Sequence, residues 1–394
     1  MADLHCCSRR QWLTAVGATA AGALLNPLVA RADLPTSPVA IAKCRTYGDE
    51  LLPTLATMFD ELGGLSRLVA GKIVGIKINL VGSPYNRLGD CPPEATFWTH
   101  PALIRAAIRL ISQAGASRIR VLECCGATLD PFESYISQAG WNPADILDAA
   151  PHVDCENTNG LGSGKVYSRV MCPGGGLVFP GFDLNHSFVE DCDVLVSMPK
   201  LKQHRWFGVS LSMKNCYGMT PMTIYGDNAG IDEPGSDVSG TRVTVMHDGD
   251  RAPSLTAPQE VNPNSPRYGG YRLPRIINDV VSARPIHLAI IDGIQTMTGA
   301  EGPWYSDVDM IPVSPGVLIA GYNPVCTDAV AMAIMGFDPM ARSGTPPFAV
   351  CDNYLAFAEQ LGLGTRDLNR IPVLGAPIDE VRFDFSARHR VSRH

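Results

Sequence analysis

The sequence predicts an α/β fold, a layered and mostly parallel sheet with helices on both faces and long irregular insertions. Apolar runs alternate with helical patterns along the chain, as in layered α/β domains. The chain has 394 residues, 45% hydrophobic and only 18% charged, so it can bury a large core. Four of the apolar runs end in polar residues, and open α/β sheets bind ligands beyond the carboxyl ends of their strands.

The first half of the chain shows this alternation clearly. "PVAIAK" predicts a short strand, "LLPTLATMFDELGG" a helix that ends at Gly63 and Gly64, and "KIVGIKINLV" a buried strand. "HPALIRAAIRLISQAG" is typical of an amphipathic helix, with Pro101 near its start and Gly115 past its end. "RIRVLECCG" predicts a further strand, and "DPFESYISQAG" and "PADILDAA" predict short helices.

The second half has two irregular stretches. Residues 151–181 are rich in Gly, Pro, Asn and Ser, which predicts turns and hairpins. Residues 226–275 form a possible lid, binding loop or insertion, in which only "TRVTVMH" alternates like a strand. The predicted strand "CDVLVSMP" lies between them. The α/β rhythm then returns with a "PRIINDVVSA" helix, "IHLAIIDGI" and "GVLIAG" strands, and a "NPVCTDAVAMAIMG" helix.

Residues 1–32 are expected to be a twin-arginine-type signal peptide, and residues 33–394 a single large domain. Arg9 and Arg10 precede a stretch rich in Ala and Gly, and Ala30-Arg31-Ala32 provides a small-residue cleavage site. An uncleaved membrane anchor is the weaker alternative. We therefore expect the twin-arginine export machinery as a partner and a periplasmic or otherwise exported location. No later run is apolar enough to span a membrane, so none is expected after signal removal.

The net charge and the spacing of the cysteines limit the classes of function that the protein can have. The net charge of -7 and the pI near 5.7 argue against a nucleic-acid binder, which needs a basic face. Ten of the twelve cysteines follow the signal, and no CxxC occurs. Buried core thiols explain most of these cysteines, while a cluster built from distant ones is left open, and their disulfide status is not predicted.

Basic residues cluster after a predicted strand. The strand ends at Pro199, and the following "KLKQHRWFG" and "SMKN" carry Lys200, Lys202, His204 and Lys214. Crowded ammonium groups repel, so a bound phosphate or carboxylate, or nearby acids, should offset them. The ordinary pKa of His204 suits a general base or a metal ligand near neutral pH, and a structural role is the alternative.

Polar residues also end the neighbouring predicted strands. In "VGIKINL", Lys77 and Asn79 are two residues apart and so lie on one face of the strand. Glu123 ends "RVLE", and Asp292 ends "LAIID". We expect these side chains to share one edge of the sheet with the basic cluster.

The acidic residues are candidates for metal ligands or counter-charges. Asp292 follows an apolar strand, and Glu301 lies in a glycine-rich turn, so both could bind a metal or offset the lysines. Asp328 lies in the first turns of a helix, where capping explains it equally well. Together with His204 these are the metal candidates. The sequence contains no G-x-S-x-G, Rossmann or Walker motif and no paired-histidine zinc spacing.

On these residues the sequence resembles the family called domain of unknown function 362. The resemblance covers about residues 70–340 and rests on five blocks in order: "VGIKINL", "HPALIRAAIRLISQAGASRIRVLE", "DVLVSMPKLKQHRWFGVSLSMKNCYG", "LAIIDGIQTMTGAEGP" and "VLIAGYNPVCTDAVAMAIMGFDP". P-K-x-K-x-H followed by K-N-x-x-G is the most specific piece. The CxxCxxC module of many relatives is missing here. The resemblance implies that the family's characteristic polar positions are Lys77, Asn79, Lys200, Lys202, His204, Lys214, Asn215, Asp292, Glu301 and Asp328.

Three functions remain open from the sequence. The first is an exported enzyme acting on a small phosphate or carboxylate substrate. Its expected catalytic residues are His204, Lys200, Lys202, Asp292 and Glu301, and its expected substrate-binding residues are Lys77, Asn79, Lys214, Asn215 and Glu123. On this hypothesis, replacing Lys200 or Lys202 by Ala weakens anion binding and leaves the fold intact. The second is an iron–sulfur or other metal-containing redox protein, and the third is a non-catalytic periplasmic binding protein.

Overall fold

A computed structural model describes residues 34–160 and 167–385 of the protein. The expected signal peptide, residues 1–32, lies outside these ranges. The described residues contain the strands β1 Val39–Lys43, β2 Ile73–Ile78, β3 Arg118–Glu123, β4 Val153–Asn157, β5 Ser168–Met171, β6 Gly181–Leu184, β7 Val194–Met198, β8 Lys202–His204, β9 Gly208–Ser210, β10 Leu288–Gly293, β11 Thr296–Met297, β12 Pro312–Val313, β13 Val317–Gly321 and β14 Val373–Gly375.

Helices connect these strands. Their bounds are α1 Leu51–Glu61, α2 Ser66–Val69, α3 Pro101–Gln113, α4 Phe132–Gln138, α5 Ala144–Leu147, α6 His186–Val189, α7 Ser212–Asn215, α8 Met222–Tyr225, α9 Gly269–Ala283, α10 Pro324–Ile334, α11 Tyr354–Gln360 and α12 Ile378–Val381. Shorter 3-10 turns and one π-helical turn, Val243–His247, lie between them. Within this part of the chain, no helix has both the length and the hydrophobicity that crossing a membrane requires.

The central sheet has eight strands in the order β14-β1-β13-β10-β7-β2-β3-β4. Five of its seven neighbouring pairs are parallel, and only β13 runs antiparallel to both of its neighbours, β1 and β10. The predicted α/β class with a mostly parallel sheet is confirmed. Because β2, β3, β7 and β10 are mutually parallel, their carboxyl ends meet at one edge of the sheet.

Side chains of the sheet alternate between two hydrophobic cores. In β7, Val194, Val196 and Met198 enter one core, whereas Leu195 enters the other. Helices α1 and α3 pack in the first core, and α9 and α10 pack in the second. Helices therefore cover both faces, as the sequence predicts, and both faces of the strands are apolar because neither meets water.

Two strands of the central sheet differ from the sequence-based prediction. β4 falls in the stretch predicted to hold only turns and hairpins, and it carries Asp154 and Glu156. These acids form ion pairs with Arg120 of β3, at 2.9 and 2.5 Å. A polar edge strand held by charge pairs lacks the apolar run by which buried strands are recognised. The short strand β14 at the opposite edge was also not predicted.

The predicted strand "TRVTVMH" is wrong: Val243–His247 is a π-helical turn. The Asp227 carboxylate accepts hydrogen bonds from the backbone N–H and the hydroxyl of both Thr241 and Thr244, which curls the segment. No described strand lies beside this segment to pair with it. Alternation without a partner strand does not produce a strand, because an extended segment needs a neighbour for its backbone hydrogen bonds.

Candidate functional site

A cavity of about 1010 Å³ lies at the carboxyl edge of the sheet. Lys77 and Glu123, from β2 and β3, form part of its floor. One wall comes from the irregular insertion and includes Arg242, and another comes from the loop that carries Glu301. The site is therefore where the Brändén rule for open α/β sheets places it.

Lys77 and Glu123 form a buried ion pair on this floor. Lys77 Nζ lies 2.7 Å from Glu123 Oε1 and also donates to the Ile78 carbonyl at 2.7 Å and to Asn215 Oδ1 at 3.4 Å. Glu123 in turn accepts the Leu80 backbone N–H at 2.9 Å. Burial raises the pKa of Glu123, and the Lys77 ammonium opposes that shift. Both charges are thus paired and hydrogen-bonded, as burial demands.

Lys202 is held by neutral oxygens. Its Nζ donates to Asn79 Oδ1 at 2.9 Å, to the Phe97 carbonyl at 2.7 Å and to the Glu301 carbonyl at 2.9 Å. Burial lowers the pKa of Lys202 well below its ordinary value. Three acceptors nevertheless require three N–H donors, which only the protonated ammonium has. We therefore assign the charged form to Lys202.

Asn215 links the basic residues to the sheet. Its Nδ2 donates to the Lys77 carbonyl at 2.9 Å and to Ser197 Oγ at 3.0 Å. Its Oδ1 lies 3.4 Å from both Lys77 Nζ and Asn79 Nδ2. The expected group of Lys77, Asn79, Glu123, Lys202 and Asn215 is thus one connected hydrogen-bond network.

Lys214 differs from the other lysines of the cluster. It is 9% exposed and lines the cavity, and its Nζ has no hydrogen-bond acceptor within residues 34–160 and 167–385. It lies 4.1 Å from the centroid of the Tyr217 ring, a cation–π contact. Burial lowers its pKa to about 7, with Arg242 and Lys77 adding to the shift and Glu301 opposing it. Lys214 therefore lines the cavity with free N–H donors. Its charge changes near neutral pH.

Arg242 is the second cation with unused donors. Its guanidinium lies 5.7 Å from the Tyr217 ring and donates through Nε to the Thr220 carbonyl at 2.7 Å. Its buried Nη2 has no partner among the described residues. Two carboxylates, Asp130 and Asp248, also line the cavity, but neither forms an ion pair with a residue in the described part of the chain. Lys214 and Arg242 thus present unsatisfied positive charge to the same space.

His204 and Glu301 form the acid–base part of the wall. His204 Nδ1 accepts the Trp206 backbone N–H at 3.2 Å, which assigns the ring hydrogen to Nε2, and it lies 3.6 Å from Glu301 Oε2. Burial lowers the pKa of His204 to about 3, so the ring is neutral. Burial disfavours the charged form of Glu301, but hydrogen bonds from the Tyr305 hydroxyl and the Arg205 N–H outweigh it and keep the pKa of Glu301 below its ordinary value. Glu301 is an anion at neutral pH.

Lys200 and Asp292 lie outside the cavity lining, in a fully buried ion pair of 2.8 Å. Lys200 Nζ also donates to the Glu94 carbonyl at 2.8 Å and to Tyr47 Oη at 3.2 Å. The remaining Asp292 oxygen accepts the Tyr47 hydroxyl at 2.7 Å. Their expected catalytic roles stay predictions, and the geometry favours a supporting role because every donor and acceptor of the pair is occupied.

The metal candidates are not brought together. Asp328 is buried and accepts from the Ser212 N–H, the Ser212 hydroxyl and the Met213 N–H, at 2.6–3.1 Å, so it caps helix α7. Asp292 pairs with Lys200, and only His204 and Glu301 are neighbours. No group of three His, Cys, Asp or Glu side chains in the described ranges could hold a metal ion. The ten cysteines in the described ranges are free thiols.

Comparison with known proteins decides the family. A family model described as "Domain of unknown function (DUF362)" matches residues 74–333, more than half of the chain. The chain belongs to the DUF362 family. No curated protein matches it. A solved structure from Thermotoga maritima, a target of the Northeast Structural Genomics Consortium, is similar at 13% identity with a TM-score of 0.31, over 72% of this chain and 57% of that one. This chain therefore spans less than two thirds of that protein's length.

The alternation of side chains along a β-strand explains the spacing of the family's P-K-x-K-x-H motif. Lys202 and His204 are alternate residues of β8, so both face the cavity, whereas Gln203 points away and accepts the Gly299 N–H at 2.7 Å. Lys200 precedes the strand and bridges to Asp292 of β10. Thus one short extended segment directs two of its polar groups to the cavity and one to the core.

Close packing explains the glycine of K-N-x-x-G. A Cβ atom on Gly218 would lie 2.9 Å from Lys77 Nζ and 3.1 Å from Glu123 Oε1. These atoms are held by the buried ion pair and cannot move away freely. The absence of a side chain at this position is what lets the loop cover the pair.

Sequence reasoning missed several residues of the site. They are Arg242, Tyr217, His247, Trp304 and Tyr305, all of which line the cavity. Arg242 and His247 come from "TRVTVMH", and a strand there would put them on opposite faces, whereas the π-helical turn brings both to the cavity. Tyr217 lies inside the K-N-x-x-G motif, and Trp304 and Tyr305 closely follow Glu301, so proximity to these motifs was the available signal.

We expect replacement of Lys200 and of Lys214 by Met to have opposite consequences. Lys200→Met leaves the buried Asp292 without its cation and should lower the free energy of unfolding by about 3–5 kcal/mol. Lys214→Met removes a buried cation that has no acceptor and should leave stability unchanged or raise it. Urea unfolding of the two variants and the wild type measures both effects. A stable Lys200→Met protein would contradict the supporting role and restore the sequence-based expectation.

We expect Gly218→Ala to lower the free energy of unfolding by about 1–3 kcal/mol, because the added methyl group overpacks the Lys77–Glu123 pair. Gly48→Ala is the matched control. Gly48 is exposed, and its added Cβ would meet nothing closer than 3.4 Å, so its effect should stay within about 1 kcal/mol. Equal stability of the two variants in urea unfolding would refute the packing explanation.

Proposed function

We propose that this protein is an exported enzyme that binds the anionic group of a small substrate between Lys214 and Arg242. The observation that carries the proposal is the difference among the four lysines of the site. Lys77, Lys200 and Lys202 each have three oxygen acceptors, whereas Lys214 has none among the described residues. An anion is the partner that free ammonium and guanidinium donors require.

The neighbouring groups support acid–base chemistry at this position. Lys214 has a pKa of about 7, so its ammonium form can give up a proton at neutral pH. His204 is neutral with its hydrogen assigned to Nε2, so it can donate a hydrogen bond to a substrate oxygen. The Glu301 anion favours the protonated form of Lys214. We assign to Lys214 the role of proton donor, to Arg242 that of a permanent anion clamp, and to His204 that of a neutral hydrogen-bond donor.

Calorimetric titration with sodium sulfate tests the binding step, because sulfate is an anion without further chemistry. We expect Lys214→Met and Arg242→Gln each to weaken sulfate binding by about 10- to 100-fold, the effect of losing one charge-assisted hydrogen bond. Lys43→Met is the control, because Lys43 is exposed and pairs with Glu380 outside the cavity. Equal affinity in the wild type and both cavity variants, or no binding by any of them, would refute the proposal.

Turnover distinguishes an enzyme from a binding protein. Phosphate monoesters and small carboxylates that compete with sulfate would be incubated with the wild type and with Lys214→Met, and the products would be analysed by mass spectrometry. Conversion by the wild type and loss of conversion in the variant supports the enzyme. Recovery of every competing ligand unchanged supports the non-catalytic binding protein instead.

We expect sulfate affinity to fall as the pH rises above 7. Below its folded-state pKa of about 7 Lys214 is charged and attracts the anion, and above it the neutral amine does not. With sulfate fully ionised throughout, the affinity should fall by up to about tenfold per pH unit between pH 7 and 9. Lys214→Arg keeps its charge in this range and should remove the dependence. An unchanged slope in that variant would show that another group controls binding.

A further inference from the structure

The cavity is much larger than an inorganic anion needs. Its volume of about 1010 Å³ is at the upper end of pockets that hold drug-sized ligands, about 300–1,000 Å³. The unsatisfied cations Lys214 and Arg242 account for one part of its surface only. The remaining surface must recognise the rest of the ligand.

That remaining surface includes a group of exposed aromatic side chains. Thirteen large hydrophobic side chains are exposed within the described ranges, and four of them are aromatic: Tyr85, Trp206, Tyr268 and Trp304. All four line this cavity. Exposed aromatic side chains are therefore concentrated at one place, and such a concentration marks a binding surface.

Trp304 is packed closely against its surroundings. An added Cβ on Gly302 would lie 2.0 Å from the indole, and one on Gly82 would lie 2.6 Å from it, so the ring packs directly on two backbone segments. The Phe97 ring meets it edge-on, with centroids 6.0 Å apart. Trp304 is nevertheless 38% exposed. A ring fixed in this way and still open to the cavity loses little conformational entropy when a ligand stacks on it.

The loop that carries Trp304 also carries Glu301, which neighbours His204. Tyr305 of the same loop donates its hydroxyl to Glu301. The Glu301 carbonyl is in turn bound to the Lys202 ammonium at 2.9 Å. Trp304 and Glu301 are thus held by one tethered segment.

We propose that the ligand of this cavity carries a planar aromatic ring beside its anionic group, and that the ring stacks on Trp304. This inference rests on the proposed anion site and specifies its substrate class. Stacking on a fixed indole tolerates different ring substituents on the ligand, because it needs only a flat π-face. Trp304 is on this account a specificity residue that touches the substrate, and it takes no part in proton transfer.

Three phosphate monoesters test the proposal by calorimetric titration. They are methyl phosphate, cyclohexyl phosphate and phenyl phosphate, which carry the same anion with no ring, a saturated ring and an aromatic ring. We expect the wild type to bind phenyl phosphate about tenfold more tightly than the other two, a ratio typical of one stacked ring. Trp304→Leu should abolish this preference by weakening the binding of phenyl phosphate, whereas Trp304→Phe should keep most of it.

The variants separate the two proposals. Leu361→Ala, a change at an exposed leucine outside the cavity, is the control for a general surface effect. Binding of methyl phosphate without any preference for phenyl phosphate would overturn the aromatic ligand and leave the anion site standing. Retention of the preference in Trp304→Leu and its loss in Trp206→Leu would overturn the assignment to Trp304. No binding of any ester, nor of sulfate, would overturn the anion site itself.

Discussion

The free-energy cost of burying lysine ammonium groups determines how the loops at the carboxyl edge of the central sheet are arranged. A buried ammonium must have its three N–H donors satisfied, or burial is strongly unfavourable. Lys200 and Lys202 meet half of this demand with the backbone carbonyls of Glu94, Phe97 and Glu301, and the other half with side-chain oxygens. These carbonyls belong to loops that follow different strands. Each lysine therefore ties a loop to the segment after β7, and the loops that surround the cavity are held in place by the basic cluster.

Because the N–H donors of Lys200 and Lys202 are all occupied, these lysines have none left to bind a ligand. Their charges still act at a distance, because the interior screens poorly, and they add to the positive potential that Lys214 and Arg242 experience. Burial is the main cause of the lowered pKa of Lys214, His204 and Lys202, and the neighbouring cations lower each pKa further. The supporting lysines thus tune the groups that have free donors, even where they have no contact with a ligand.

The unsatisfied donors of Lys214 and Arg242 are a cost that the free protein carries. Functional sites commonly hold such groups, because a ligand can satisfy them and the fold cannot. Glu301 limits the cost by placing one anion near Lys214 and His204. The cavity therefore combines a rigid, satisfied floor with a charged wall that is stabilised when an anion arrives.

Much of this site was accessible from the sequence, because strand period and the parallel sheet place chain-distant residues together by simple rules. The apolar runs predicted the sheet, and polar residues at the ends of β2 and β3 predicted that Lys77, Asn79 and Glu123 would meet the segment after β7. Sequence could not rank the lysines, because the number of oxygens around each ammonium depends on carbonyls of loops far away in the chain. It also could not place Arg242 and His247, because the strand predicted for their segment would put them on opposite faces, nor Trp304, whose irregular loop has no period. Local pattern determined the elements and the edge at which chemistry could occur, and only tertiary packing decided which cations are satisfied and which remain free.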